Sequence, residues 1–188
     1  MMTDFYSIDS YQLTPQDKLF FDANVWIYIC SPIGNYNWNI VQKYDRFLKR
    51  ALQVQAEVYI SSLVLSEFFN RSVRIEFGCR QKTDPQKYQN FKKDFRNTAS
   101  YNQIAKVLHD IIKKQILKIG KVIDDGFSEI NINRLFDDPN NYDFNDRYYQ
   151  ELAEIKNLKI VTNDADFAVC KLKIPIITAN YKLLKGIV

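Results

Sequence analysis

The chain is short of the side chains on which much enzyme chemistry is built. It carries one histidine, His109, in 188 residues, so Ser-His-Asp triads and paired-histidine zinc sites have almost nothing to draw on. Its three cysteines, Cys30, Cys79 and Cys170, are far apart and form no C-x-x-C pair. An odd, scattered set supports neither a disulfide framework nor a zinc knuckle, and the three read as core or incidental thiols. Glycine and proline number five each and are dispersed, which leaves no Gly/Ser linker, Pro-rich tract or low-complexity segment to divide the chain, and no internal repeat is visible. No run approaches the roughly 20 apolar residues of a membrane span, and the opening MMTDFYSIDS has two acids and no basic region ahead of an apolar one. The expectation is a cytoplasmic protein without a membrane partner. What remains for chemistry is carboxylates.

At 46% hydrophobic residues, the chain can bury one ordinary core, and residues 1–188 read as a single domain. The formal net charge of +4 is mild, but residues 71–125 hold 13 Lys/Arg against 6 Asp/Glu while the remainder holds 13 against 16. That asymmetry fits a protein that holds a polyanion beside an acidic metal site, and fits equally a set of helices with solvated lysines.

Apolar periodicity alternates between strand and helix. KLFFDA reads as a short buried strand ending at Asp22, and NVWIYIC as an apolar helix. IVQKYDRFLKRALQVQ places Ile40, Val41, Tyr44, Phe47, Leu48, Ala51 and Leu52 at helical spacing under a basic outer face. EVYISS is a second strand, with the Ser61-Ser62 pair at an N-cap position before LVLSEFFNRSVRIEF. After a break at Lys82 to Pro85, QKYQNFKKDFR and YNQIAKVLHDIIKKQILKIG predict two long helices, the second stopped by Gly120 as a C-cap. FSEININRLF is ambiguous. DFNDRYYQELAEIKN is helical, LKIVTND is a strand ending in acids, and IPIITAN is a last strand starting at a proline. Four strands separated by helices predict an α/β domain with a parallel sheet, whose ligands bind beyond the carboxyl ends of the strands.

Several acids fall at that edge. Asp22 closes the first strand and Asp164 closes LKIVTND. Glu67 sits among Leu63, Val64, Leu65, Phe68 and Phe69, an apolar setting in which a carboxylate needs a partner. Asp146 lies in the first turn of its helix, where the dipole favours negative charge. Hard oxygen donors from separate elements are what Mg²⁺ or Mn²⁺ requires, and such ions assist phosphodiester hydrolysis. Each acid also has a plainer reading: Asp22 as a helix N-cap, Asp143 with Asp146 as a capping pair, Glu67 as an i,i+4 partner of Arg71, Asp164 and Asp166 as turn residues. Asp137 and Asp138, before Pro139, read as loop acids.

With FFDANVWIY, ISSLVLSEF and DFNDRYYQELAEIKNLKIVTNDADF in view, the chain resembles the PIN-domain nucleases, including the VapC-like toxins of toxin-antitoxin pairs. The last segment is the most specific. In the family an acid opens a helix that leads to a strand ending in Thr-x-Asp-x-Asp-Phe, and here Asp146 stands 18 residues before Asp164. The resemblance covers Lys18 to about Tyr181. It implies a three-layer α/β/α fold around a central, mostly parallel sheet, and Mg²⁺- or Mn²⁺-dependent cleavage of RNA. It further implies Asp22, Glu67, Asp146 and Asp164 as the acidic metal cluster, Asp166 and Asp143 at its edge, and Asn24 and Thr162 as supporting polar groups. A small antitoxin is the partner such a toxin has; a second copy of the chain is another.

Two departures from the family pattern stand out. Glu67 and Asp146 are 79 residues apart, with the surplus in a basic helical elaboration over about 72–125, and residues 1–17 precede the first expected strand as an extension. The elaboration reads as an RNA-gripping segment, with Arg71, Arg74, Arg80, Lys82, Lys92, Lys93 and Arg96 on phosphates and Tyr88, Phe91 and Tyr101 for stacking. It reads equally as an insertion whose aromatics pack inward. Two rival functions stay open: a non-catalytic PIN-like module that binds RNA or protein, and a haloacid-dehalogenase-like phosphatase. The phosphatase pattern wants a second Asp two residues after the first, where this chain has Asn24.

Overall fold

The computed structural model describes residues 3–34, 36–137, 143–169 and 172–186; Asp138, Pro139 and Cys170 lie outside them. Six strands form one sheet: β1 (Asp4–Ser7), β2 (Lys18–Phe21), β3 (Glu57–Ile60), β4 (Lys121–Val122), β5 (Lys159–Val161) and β6 (Pro175–Thr178), in the order β1-β6-β5-β2-β3-β4. Every pairing is parallel. Among the described residues the helices are α1 (Ala23–Cys30), α2 (Trp38–Gln53), α3 (Ser62–Thr83), α4 (Ala99–Ile111), α5 (Leu117–Ile119), α6 (Ile132–Phe136), α7 (Phe144–Lys156) and α8 (Tyr181–Lys185). A five-residue π-helical stretch, Ile112–Ile116, joins α4 to α5. None is long and apolar enough to cross a membrane.

The central strand β2 explains the layering. Leu19, Phe20 and Phe21 are all fully buried, and alternation along a strand sends Phe20 and Phe21 to opposite faces. Phe20 meets Tyr149 of α7 with ring centroids 5.3 Å apart, while Phe21 meets Trp26 of α1 at 5.4 Å and Phe47 of α2 at 6.2 Å. Helices thus cover both faces, which a parallel sheet requires because its strands are apolar on both sides. The result is the expected three-layer α/β/α fold.

The sheet has two more strands than the four read from sequence. The residues expected as an extension ahead of the sheet supply β1, which pairs with β6 from Asp4 opposite Pro175 to Ser7 opposite Thr178. At the other edge, β4 pairs with β3 through Lys121 and Val122 alone. QKYQNFKKDFR is not a long helix: its only helical stretch is a π turn, Phe91–Phe95. Gly120 ends α5 with an extended backbone, φ −97° and ψ 143°, so no left-handed cap calls for glycine there. Its reason is space, since a Cβ would strike the Ile60 side chain of β3. Ser61 does cap α3, its Oγ accepting from the Val64 amide at 3.4 Å.

β5, β2 and β3 are adjacent and parallel, so the residues that follow them leave the sheet along one edge. Asp22 follows β2, Ser61 and the start of α3 follow β3, and Thr162 to Asp164 follow β5.

Candidate active site

Asp22 is 2% exposed, and its side chain makes no capping bond to α1 although it stands at the N-cap position. Its Oδ2 instead accepts from Asn24 Nδ2 at 2.6 Å and from Thr162 Oγ1 at 2.7 Å. The Thr162 oxygen in turn accepts from the Asp164 amide at 3.0 Å. One hydroxyl therefore couples the acid after β2 to the turn after β5. The Tyr44 hydroxyl of α2 fixes that turn from the other side, donating to the Thr162 carbonyl at 2.8 Å and accepting from the Ala179 amide at 3.0 Å.

In front of Asp22 lies an open cleft lined by Glu67, Arg71, Asp143, Asn145, Asp146, Asp164 and Asp166. Three separate elements supply it: α3, the first turn of α7, and the segment after β5. Glu67 Oε2 accepts from Tyr149 Oη at 2.7 Å and Asn145 Nδ2 at 3.1 Å, both on α7. Glu67 Oε1 accepts from Arg71 Nη1 at 3.0 Å. Asp143 caps α7 by accepting from the Asn145 amide at 2.9 Å. Asp164 Oδ1 accepts from the Asp166 amide at 3.1 Å.

Crowding acids into a partly dry cleft shifts their protonation. Burial, then the charges of Glu67 and Asp164, push the Asp22 carboxyl up to about 7 against the lowering hydrogen bond from Thr162. Burial, then Asp22, Asp164, Asp143 and Glu67, push Asp146 up to about 9. Arg71 answers in the opposite sense: burial disfavours its charge, but the Glu67 bond and the charges of Glu67, Asp22 and Asp164 outweigh it and raise its affinity for the proton. The donor set is oxygen only and short of positive charge, the chemistry that suits a hard divalent cation. Among the described residues no three His, Cys, Asp or Glu side chains are drawn together as a ready-made cage; the acids line the walls of the cleft, with Arg71 reaching in among them.

The predicted site residues thus fall into two groups. Glu67, Asp143, Asp146, Asp164, Asp166 and Arg71 share the cleft, with Asp22 behind it held by Asn24 and Thr162. The other basic residues do not line it. Arg74 lies over the Phe91 ring, 4.0 Å from its centroid. Arg80 pairs with Glu76 at 2.7 Å. Lys82, Lys92, Lys93 and Arg96 are exposed. The aromatics proposed for stacking are turned inward: Phe91 packs against Phe77 at 5.5 Å, and Tyr88 and Tyr101 pack against the buried Phe95 at 6.4 and 5.7 Å. Sequence reading missed Asn145 and Tyr149. Their spacing was the available signal, since i and i+4 on one helix share a face, next to Asp146.

The PIN domain family model matches residues 19–172, a span that takes in every acid of the cleft. The chain belongs to the PIN-domain family. Among curated proteins none matches the sequence. The crystal structure of PAE2754 from Pyrobaculum aerophilum is similar over 92% of this chain and 90% of that one, with 14% identity and a TM-score of 0.42, and no part of the assignment rests on it. Membership gives the PIN protein a nuclease-like fold, whose members are typically nucleases that act on RNA and generally use divalent ions. The phosphatase alternative loses ground, because the position two residues after Asp22 is Asn24, engaged with Asp22 itself.

Proposed function

We propose that this PIN-domain protein is a divalent-cation-dependent ribonuclease hydrolysing RNA phosphodiester bonds. The observation that carries the reading is the cleft: five carboxylates from three elements converge on it, with Asp22 behind them and a single arginine among them. Asp22, Glu67, Asp146 and Asp164 would hold Mg²⁺ or Mn²⁺, with Asp166 and Asp143 at the margin. Such an ion, when bound, activates water for attack on phosphorus and offsets charge developing on the phosphate oxygens.

The chain's own contribution is orientation. Asn24 and Thr162 aim Asp22, and Tyr149 and Asn145 aim Glu67. In the cation-free protein Asp146 and part of the Asp22 population keep a proton near neutral pH, which limits mutual repulsion until a cation arrives. Arg71 and Arg74, one turn apart on α3, line a groove that shares Arg71 with the cleft, and would bind phosphates of the RNA chain there. The finer reading is a toxin-like endoribonuclease of the cytoplasm, 1–188 acting as one domain, silenced by a small antitoxin. A reading frame beside the gene whose product co-purifies with the chain and stops cleavage is the expected finding, and a homodimer is the competing assembly.

The direct test is a single-stranded oligoribonucleotide incubated with the purified full chain in Mg²⁺ or Mn²⁺. Asp146→Asn and Asp164→Asn should each cut at least about 100-fold more slowly than wild type, because groups that act as a unit fail together. EDTA should abolish cutting. Cleavage at wild-type rate by either variant, or indifferent to EDTA, overturns the reading; EDTA-insensitive binding without cleavage would favour a non-catalytic module.

A further inference from the structure

Arg71 stands in a position that metal-site chemistry alone does not explain. Its guanidinium is the one cationic group among the lining residues of the acidic cleft, and it is bonded to Glu67 Oε1. The other carboxylate oxygen, Oε2, is already occupied by two donors, Tyr149 Oη and Asn145 Nδ2. A carboxylate oxygen has about two lone-pair sites, so Oε2 is spent and Oε1 is the atom left to face a cation. Any ion that takes Glu67 as a ligand must therefore meet Arg71 at that atom, and two positive centres on one oxygen repel.

Arg71 also has somewhere to go. Its side chain is 47% exposed against 14% for Glu67, and besides the acidic cleft it lines a neighbouring groove with Asn70, Arg74 and Ile75. Arg74 is held there by its stacking over Phe91. Because Arg71 lines both cleft and groove, rotation about its long side chain is the movement that would carry the guanidinium from the acids to a second arginine. Two guanidiniums side by side are unfavourable alone and favourable once an anion lies between them, and their forked donors match a phosphate.

Resting on the ribonuclease reading, we propose that Arg71 is an exchangeable internal counter-ion: it neutralises Glu67 in the cation-free protein, is displaced by the divalent ion, and is passed to an RNA phosphate next to the scissile one. Ion and substrate binding are coupled through this one side chain. The ion releases Arg71 for RNA, and RNA, by holding Arg71 in the groove, clears Glu67 for the ion. Linkage makes the coupling reciprocal.

Calorimetric titration of Mn²⁺ into the RNA-free full chain, wild type against Arg71→Gln, separates this from a plain phosphate contact. Gln is neutral and retains an amide donor, so the fold is little disturbed; unchanged circular dichroism and a Glu76→Gln control on the same helix verify that. Arg71→Gln should bind Mn²⁺ roughly tenfold more tightly without RNA, yet at saturating Mn²⁺ its kcat/KM on the oligoribonucleotide should fall about tenfold or more. Unchanged or weakened Mn²⁺ binding overturns the counter-ion role. Tighter Mn²⁺ binding with wild-type kcat/KM overturns the transfer to phosphate. If the wild type binds Mn²⁺ but cuts no RNA, the ribonuclease reading fails and the transfer falls with it, while the Mn²⁺ affinities still decide the exchange at Glu67.

Discussion

Thr162 shows how much one hydroxyl can organise. It donates to Asp22 Oδ2 and accepts from the Asp164 amide, so two acids that belong to different strands are set relative to each other by a single oxygen. It also opposes the burial and charge that push Asp22 up to about 7. Thr162→Val keeps the shape and removes both bonds, together with the one that Asn24 Nδ2 donates to the same oxygen at 3.2 Å. The Asp164 amide loses its partner, at a cost of about 1 to 3 kcal/mol in stability, and the Asp22 carboxyl rises further because its charged form has lost a donor. Fewer molecules then carry an ionised Asp22 near neutrality. Mn²⁺ affinity measured by calorimetry should drop roughly five- to tenfold at about pH 6.5 and by much less at about pH 8.5, where Asp22 is ionised in both proteins. A loss of equal size at both pH values would rule out the protonation route. Of this constellation, Asp22 and Asp164 were legible as acids closing apolar strands, while Asn24 and Thr162 came only with the resemblance to the PIN family. Tyr44 was not: its helical spacing marked it as core, which it is, and nothing in the pattern reports that its hydroxyl also grips the turn after β5.

At the scale of elements, long apolar segments were readable and marginal ones were not. β2, β3, β5 and β6 carry buried residues that announce themselves. β1, with the burial of an edge strand and an acid at its first position, and β4, two exposed residues long, owe their existence to pairing with a neighbour, which leaves no local trace. QKYQNFKKDFR failed for a different reason. Tyr88, Phe91 and Phe95 recur at helical spacing, but Asn90 Oδ1 accepts from the Lys92 and Lys93 amides at 3.0 and 3.1 Å, and Asp94 Oδ2 accepts from the Gln89 and Asn90 amides at 2.9 and 2.5 Å. Those side chains compete for the backbone donors a helix needs, and the segment turns instead of extending. Its aromatics then serve as a small core around Phe95, which is fully buried. Phe95→Ala should cost about 3 to 5 kcal/mol and lower the melting temperature of the whole protein. A wild-type melting curve together with weakened RNA binding would instead return these rings to the stacking role.

The whole molecule trades cation-free stability for a site that is ready to bind, and the trade has a sign. Asp22 and Asp146 have folded-state values of about 7 and about 9 against an ordinary carboxyl near 3.8 in the unfolded chain. Between those limits the folded protein holds protons that the unfolded chain has released, so the stabilisation is complete below about pH 4 and is lost as pH rises through the folded values. Each carboxyl contributes at most about 1.4 kcal/mol per pH unit within its window. Without a cation, the melting temperature in EDTA should fall between about pH 5 and pH 9. A divalent ion that binds only the folded, ionised site opposes this fall, so the rise in melting temperature on adding Mn²⁺ should be larger at about pH 8.5 than at about pH 5.5. Other groups titrate too, which makes the difference between proteins the decisive quantity. Asp146→Asn replaces the more strongly shifted carboxyl by a group that cannot ionise, and should flatten the EDTA profile above about pH 6 while losing most of the Mn²⁺ response. Parallel EDTA profiles for wild type and Asp146→Asn over that range would mean that neither burial nor the neighbouring acids hold a proton on Asp146 there, and the case for a cation among them would lose its energetic basis.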